Sequence, residues 1–198
     1  MKLWTIQSLA RWERLQRDGV LQASRFDSEL FNPSAYLWMT DELKKRVGEP
    51  PEGAAVPLWA WYQWQGTTRA RPDLRARAHV EKGEKAVRLE IEVPDHQVLL
   101  SDFQLWHIPL NSGVLARTEA EVDAFDAELA KAGLAFKMAE ALMDPDFGPR
   151  IRKGWELIFD LEFSDPYFTC PMEEKSIQAV FWQLRLEQVR AVTHFSGR

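Results

Sequence analysis

The chain has one cysteine, Cys170, in 198 residues. With no second thiol, an internal disulfide and a four-thiolate zinc site are both excluded, and a reducing compartment fits. Cys170 sits in a TCP string with no specific partner and reads as structural. Histidine is sparse too. His79, His96, His107 and His194 are scattered, with neither H-x-x-x-H nor H-E-x-x-H spacing, so no metal site is expected. No apolar run approaches the roughly 18 to 20 residues that a membrane span needs. The opening MKLWTIQSLARWERL turns charged too early for a signal peptide. The expectation is a cytoplasmic protein with no membrane partner. Basic residues are in deficit, 25 Lys and Arg against 30 Asp and Glu, for a net charge of −5. That balance argues against nucleic acid as a general partner, while leaving room for a local basic patch.

What the chain does have is tryptophan, nine of them. Each brings a large apolar area and one N–H that needs an acceptor. Four aromatics crowd into PLWAWYQWQG, residues 57–66. The segment is too short for a typical helix and rich in strand formers, so a strand over 58–64 is expected. Alternation would put Trp59, Trp61 and Gln63 on one face, and Leu58, Ala60, Tyr62 and Trp64 on the other. Both faces are apolar, which suits a strand inside the fold.

Other strands are expected at 2–7, at 85–93 and within 177–195. KAVRLEIEV is the clearest, with Val87, Leu89, Ile91 and Val93 on one side and charges on the other. SIQAVFWQLRLEQVRAVTHF reads as two strands, or one bent strand broken near Glu187-Gln188. Val180, Trp182, Leu184 and Leu186 fall on one side of it. Helix signals lie between. Ser8 caps a helix burying Leu9, Trp12 and Leu15, stopped by Gly19. Asn32 and Pro33 open a second, with Tyr36, Met39 and Leu43 inward and Lys44, Lys45 and Arg46 at its favourable end. Asp102 can cap a short helix that turns Phe103, Trp106 and Leu110 inward before Pro109 limits it. Thr118 and Glu121 form a capping box ahead of Val122, Phe125 and Leu129. Gly133 interrupts, 134–143 suits another helical piece, and 151–163 is ambiguous, although Ile151, Trp155 and Ile158 suit a helix. No repeat or linker divides residues 1–198. A single compact α+β domain with a mixed or antiparallel sheet is expected.

Four strings, LWTIQ, PLWAWYQW, VLLSDFQLWHIPLN and FWQLRLEQV, occur in an order that resembles a bacterial family known as domain of unknown function 3841. The resemblance spans nearly the whole chain. It implies one compact domain of this size and supplies no catalytic residues. A looser resemblance is to the ADP-ribosyltransferase superfamily. Those enzymes set a His or Arg on a first motif strand and a Glu or Gln on a late one, and close a nicotinamide cleft with aromatics. Here those positions are Gln7, which departs from the pattern, and Glu187. NAD is implied as a cofactor under this alternative alone; otherwise the cofactor is unknown.

Candidate site residues cluster in two places. In Ser101, Asp102, Trp106, His107 and Asn111, His107 is the natural acid–base group and Asp102 a carboxylate at a helix N-terminus. A Ser-His-Asp triad is not supported, because no G-x-S-x-G elbow surrounds Ser101 and triad members come from distant segments. The bland reading is that Asp102 caps, Trp106 packs and His107 bonds a backbone carbonyl. The second place is a late strand face, where Gln183 and Glu187 would stand beside Trp59 and Trp61, from the run that also holds Tyr62, a setting for a cationic or nicotinamide-like ring. Asp102, His107 and Glu187 are therefore the catalytic candidates. Gln7, the aromatics, Asn111 and Gln183 are ligand-binding candidates, with Arg75 from the run Arg69, Arg71, Arg75 and Arg77 gripping phosphate. The expected function is binding of a small nucleotide-like or aromatic molecule in a Trp-lined pocket. Alternatives are an NAD-using transferase and a protein-interaction or RNA-binding module.

Overall fold

The computed structural model describes residues 1–26, 32–76 and 79–198. In chain order the elements are β1 (Lys2–Ser8), α1 (Leu9–Asp18), β2 (Val20–Gln22), α2 (Pro33–Val47), β3 (Leu58–Gln63), β4 (Lys85–Glu92), β5 (Leu99–Asp102), α3 (Phe103–Leu110), α4 (Glu119–Lys131), α5 (Met138–Met143), α6 (Phe147–Trp155), β6 (Ile177–Phe181), β7 (Gln183–Arg185) and β8 (Val189–Ser196). Six strands form one sheet in the order β5-β6-β3-β1-β4-β8, and each neighbouring pair is antiparallel. β2 and β7 make a separate ribbon. The domain is α+β, and its sheet is the antiparallel one of the two expected kinds.

Local chemistry sets the helix ends. Ser8 Oγ accepts from Arg11 N at 3.3 Å, and Gly19, at φ +74°, closes α1. Asn32 accepts from Ser34 N ahead of Pro33. Thr118 and Glu121 exchange the two hydrogen bonds of a capping box.

Two apolar clusters lie on opposite faces of the sheet. On one face, Trp12 and Leu15 of α1 meet Leu3, Val87, Leu89 and Ile91. Each such side chain contributes about 1.5 to 3 kcal/mol by leaving water. On the other face, α2, α3 and α6 bring Met39, Trp106 and Trp155 against Trp59, Leu99 and Val180. That second cluster takes strand residues from β3, β5 and β6, and none from β1 or β4.

Three details depart from sequence expectation. The register shifts between Trp61 and Gln63, so strict alternation fails and Trp64 returns to Trp61, ring centroids 4.5 Å apart. The C-terminal strand breaks at Trp182 as well as at a 3-10 turn, Leu186–Gln188. Leu184 therefore joins the α1-side cluster, while Val180 and Trp182 stay with the other. β2 and β5 are additional short strands, of three and four residues, too short to show a period of two.

Candidate functional site

β1 and β3 share one register pair, Trp4 with Trp61. Further along, contact runs through a side chain: Thr5 Oγ1 donates to the Trp59 carbonyl at 2.7 Å. A cleft of about 380 Å³ lies where the strands part. Ile6 and Gln7 of β1 line one side, and Val56 to Trp59 the other. Above stand Tyr36 of α2 with Phe103 and Trp106 of α3, and Arg11, Arg25 and Gln178 are also in the lining. Tyr36, Trp59 and Trp106 form a closed triangle of rings, with centroids 5.5 to 5.8 Å apart. Burial pushes the Tyr36 phenol above its ordinary pKa, so at neutral pH it keeps its proton. Arg11 and Arg25 make no ion pair among the described residues.

Two carboxamides in this lining are incompletely bonded. Gln7 is 6% exposed, and its Nε2 donates to Thr5 Oγ1 at 2.7 Å. Its Oε1 is buried and accepts from no described group. Gln178 stands on β6 opposite Trp61 and Ser101, and its Oε1 is buried without a donor too. An unpaired buried acceptor costs about 1 to 3 kcal/mol. The cleft therefore combines flat apolar walls, two glutamines, a phenol that can donate, and two guanidinium groups. That set suits a planar molecule with N–H groups on one edge and negative charge.

Of the residues expected at a site, Gln7, Trp59 and Trp106 meet in this cleft. Trp61 lies one ring behind it, 4.9 Å from Phe103. Tyr62 packs in the α1-side cluster. Asp102 is fully buried: Oδ1 accepts from Gln104 N and Leu105 N, and Oδ2 from Thr169 Oγ1 and Lys175 Nζ, at 2.6 to 3.1 Å. His107 and Asn111 lie exposed on and after α3, with His107 Nδ1 2.9 Å from the Phe103 carbonyl and Asn111 donating to the His107 carbonyl at 2.7 Å. Gln183 is in the β2–β7 ribbon, where Gln22 donates to it at 3.1 Å; it lines a different hollow with Val47 and His96. Glu187 is exposed on the Leu186–Gln188 turn and does not line the cleft. Arg75 belongs to a neighbouring basin and forks onto Asp73. Arg77 lies outside the described residues.

Sequence reasoning overlooked Arg11, Arg25, Tyr36, Phe103 and Gln178 as cleft residues. For Gln178 a signal was present. It shares a strand face with Val180 and Trp182, a polar residue in an apolar row, which calls for a partner.

The architecture is that of an antiparallel α+β domain with one aromatic cleft at a strand junction. The chain belongs to the family described as Domain of unknown function (DUF3841), which matches residues 2–190. No curated protein and no solved structure matches it. Among the described residues, no helix is long and apolar enough to cross a membrane, and no group of three His, Cys, Asp or Glu could hold a metal ion.

Proposed function

We propose that the protein binds a small nucleotide-like molecule in the cleft between β1 and β3. The observation that carries this reading is an aromatic-walled cleft lined by two glutamines, Gln7 and Gln178, whose carboxamide oxygens lack donors within the protein. Folded proteins pair nearly all such groups, so an acceptor left open beside a cavity is matched by what fills the cavity. A base-like or carboxamide-bearing ring would offer N–H groups to these oxygens and lie against Trp59 and Trp106. Arg11 and Arg25 favour an anionic substituent. Gln7, which the transferase resemblance places on its first motif strand, lines this cleft, and NAD+ belongs among the molecules to try for that reason.

The test is a thermal-shift panel of nucleosides, nucleotides and NAD+, followed by calorimetry. A ligand at about 100 times its dissociation constant adds about 2.7 kcal/mol, a rise of several degrees. Gln178→Leu is expected to abolish that rise without lowering the ligand-free melting temperature. A ligand that binds Gln178→Leu as tightly as the parent chain would move the site elsewhere. A shift with NAD+ alone would favour the transferase-like alternative.

A further inference from the structure

A second concavity, of about 790 Å³, lies beside the cleft on the same face of the sheet. Ile6, in the cleft, faces Arg88, in this basin, directly across the β1–β4 pairing. Trp4, two residues along β1, forms part of the basin wall. The helices pack this face over β3, β5 and β6, so the β1–β4 stretch is left to the loop after β3.

That loop is anchored. Gly66 N donates to the Lys175 carbonyl at 3.0 Å, Thr67 N to the Glu173 carbonyl at 2.9 Å, and Trp64 N to the Ala70 carbonyl at 2.9 Å. Gly66 sits at φ +77°, and a Cβ there would stand 2.5 Å from the Glu173 carbonyl oxygen, so only glycine fits this approach. The loop thereby fixes Arg69, Arg71 and Arg75 around the basin, with Arg88 rising from the sheet.

The basin holds four arginines against two carboxylates, Asp73 and Glu90, in a chain of net charge −5. Both carboxylates are already engaged. Asp73 takes the Arg75 fork at 2.9 Å, and Glu90 takes Lys2 at 2.8 Å and the Trp4 indole N–H at 3.3 Å. Arg69, Arg71 and Arg88 have no carboxylate partner among the described residues; Arg88 donates to the Pro72 carbonyl at 2.8 Å. The Trp64 indole N–H, at the basin wall, is buried without an acceptor. Burial, and then the charge of Arg71, hold Arg88 below its ordinary pKa, a cost that an anion would relieve.

We infer that this basin is an oligophosphate subsite continuous with the cleft, so that the ligand is a nucleoside carrying a pyrophosphate or longer phosphate chain. The inference rests on the cleft reading for the nucleoside half and on the arginines for the phosphate half. Guanidinium forks match phosphate oxygens.

Inorganic tripolyphosphate tests the basin by itself, and adenosine the cleft by itself, both by calorimetry on the full chain near 0.15 M salt. Tripolyphosphate is expected to bind, and to weaken at least about tenfold in the Arg69→Gln/Arg71→Gln double variant and in Arg88→Gln. Arg69 and Arg71 are exposed, so the double variant keeps the test valid if the Arg88 variant folds poorly. Gln178→Leu should leave tripolyphosphate binding unchanged, and ATP should bind the parent chain more tightly than adenosine. The inference is overturned if tripolyphosphate does not bind, if the arginine variants bind it equally, or if citrate binds as well as tripolyphosphate, since that would mark charge alone. Adenosine binding without tripolyphosphate binding would leave the cleft reading standing and remove this one; the reverse result would keep the phosphate site and discard the nucleoside half.

Discussion

Two polar constellations lie in the interior, and they differ in how fully they are bonded. Around Asp102, two carboxylate oxygens accept four hydrogen bonds, and Lys175 Nζ also reaches the Phe163 carbonyl at 2.7 Å; both charged residues are 0% exposed. This knot ties β5 and the start of α3 to the segment 163–175, which otherwise has little regular structure. At the cleft, the carboxamide oxygens of Gln7 and Gln178 have no donor. A closed network holds a chain together, because each member loses its partner if the fold opens. An open one contributes nothing to the fold by being polar. The difference separates a carboxylate whose oxygens are fully paired within the domain from carboxamide oxygens that are not, and it places Asp102 in a closed internal network.

The largest effect should come from breaking the closed network. Asp102→Asn retains an N-cap side chain for α3 but leaves the Lys175 ammonium buried without a counter-charge, and removing one partner of such a pair costs about 3 to 5 kcal/mol. Lys175→Met should cost less, because Asp102 keeps three of its four donors: the two backbone N–H groups and Thr169. Urea unfolding of both variants checks the order. If Asp102→Asn unfolds at the same urea concentration as the parent, the pair does not secure the segment 163–175.

The opposite result is expected where the network is open. Ser101 is fully buried with an unpaired hydroxyl, next to Gln178 in the β5–β6 register. Ser101→Ala and Gln178→Leu remove polar atoms that have no partner, so unfolding free energy should stay level or rise by up to about 1 to 3 kcal/mol. A loss of stability in either, measured by the same urea titration, would mean that these groups are bonded in solution and that the contrast with Asp102 is smaller than it looks.

Much of the fold was legible from local chemistry. Ser8, Asn32, Asp102 and Thr118 cap the helices their positions suggested, because capping depends on a few neighbouring atoms. The strand at β4 followed from apolar alternation, and that at β3 from its length and its strand-forming aromatics. The site was less legible, because it is made where elements meet. Trp59 and Trp106 stood out as aromatics, but their meeting with Arg11, Tyr36 and Gln178 depends on the β1–β3 junction and the seating of α2 and α3 over it. Gln183 was misplaced relative to the aromatic cleft by the break at Trp182, which carries it into the ribbon with β2. Alternation cannot foresee a break that comes from strands changing sheets. The arginine run was visible in the sequence, while its facing of Ile6 through Arg88 is a matter of register.

The smallest expected effect concerns the arginine-lined basin, where His79 packs on the wall residue Trp64 with ring centroids 4.7 Å apart and its Nε2 lies 3.0 Å from the Asp73 carbonyl. Burial pushes its pKa down; the Asp73 carbonyl and carboxylate oppose this more weakly. The folded state therefore prefers the neutral ring, and the unfolded chain binds more protons. Stability from this group is fully present above the unfolded value of about 6.5 and is lost as pH falls below it. Depressed carboxylates such as Glu90, held down mainly by Lys2, lose their contributions only at lower pH, so a window from about 5.5 to 7 isolates the histidine. His79→Asn should flatten the dependence of the urea midpoint on pH within that window. Equal slopes in parent and variant would mean that His79 stays in contact with water and that the Trp64 wall of the basin is looser than its packing implies.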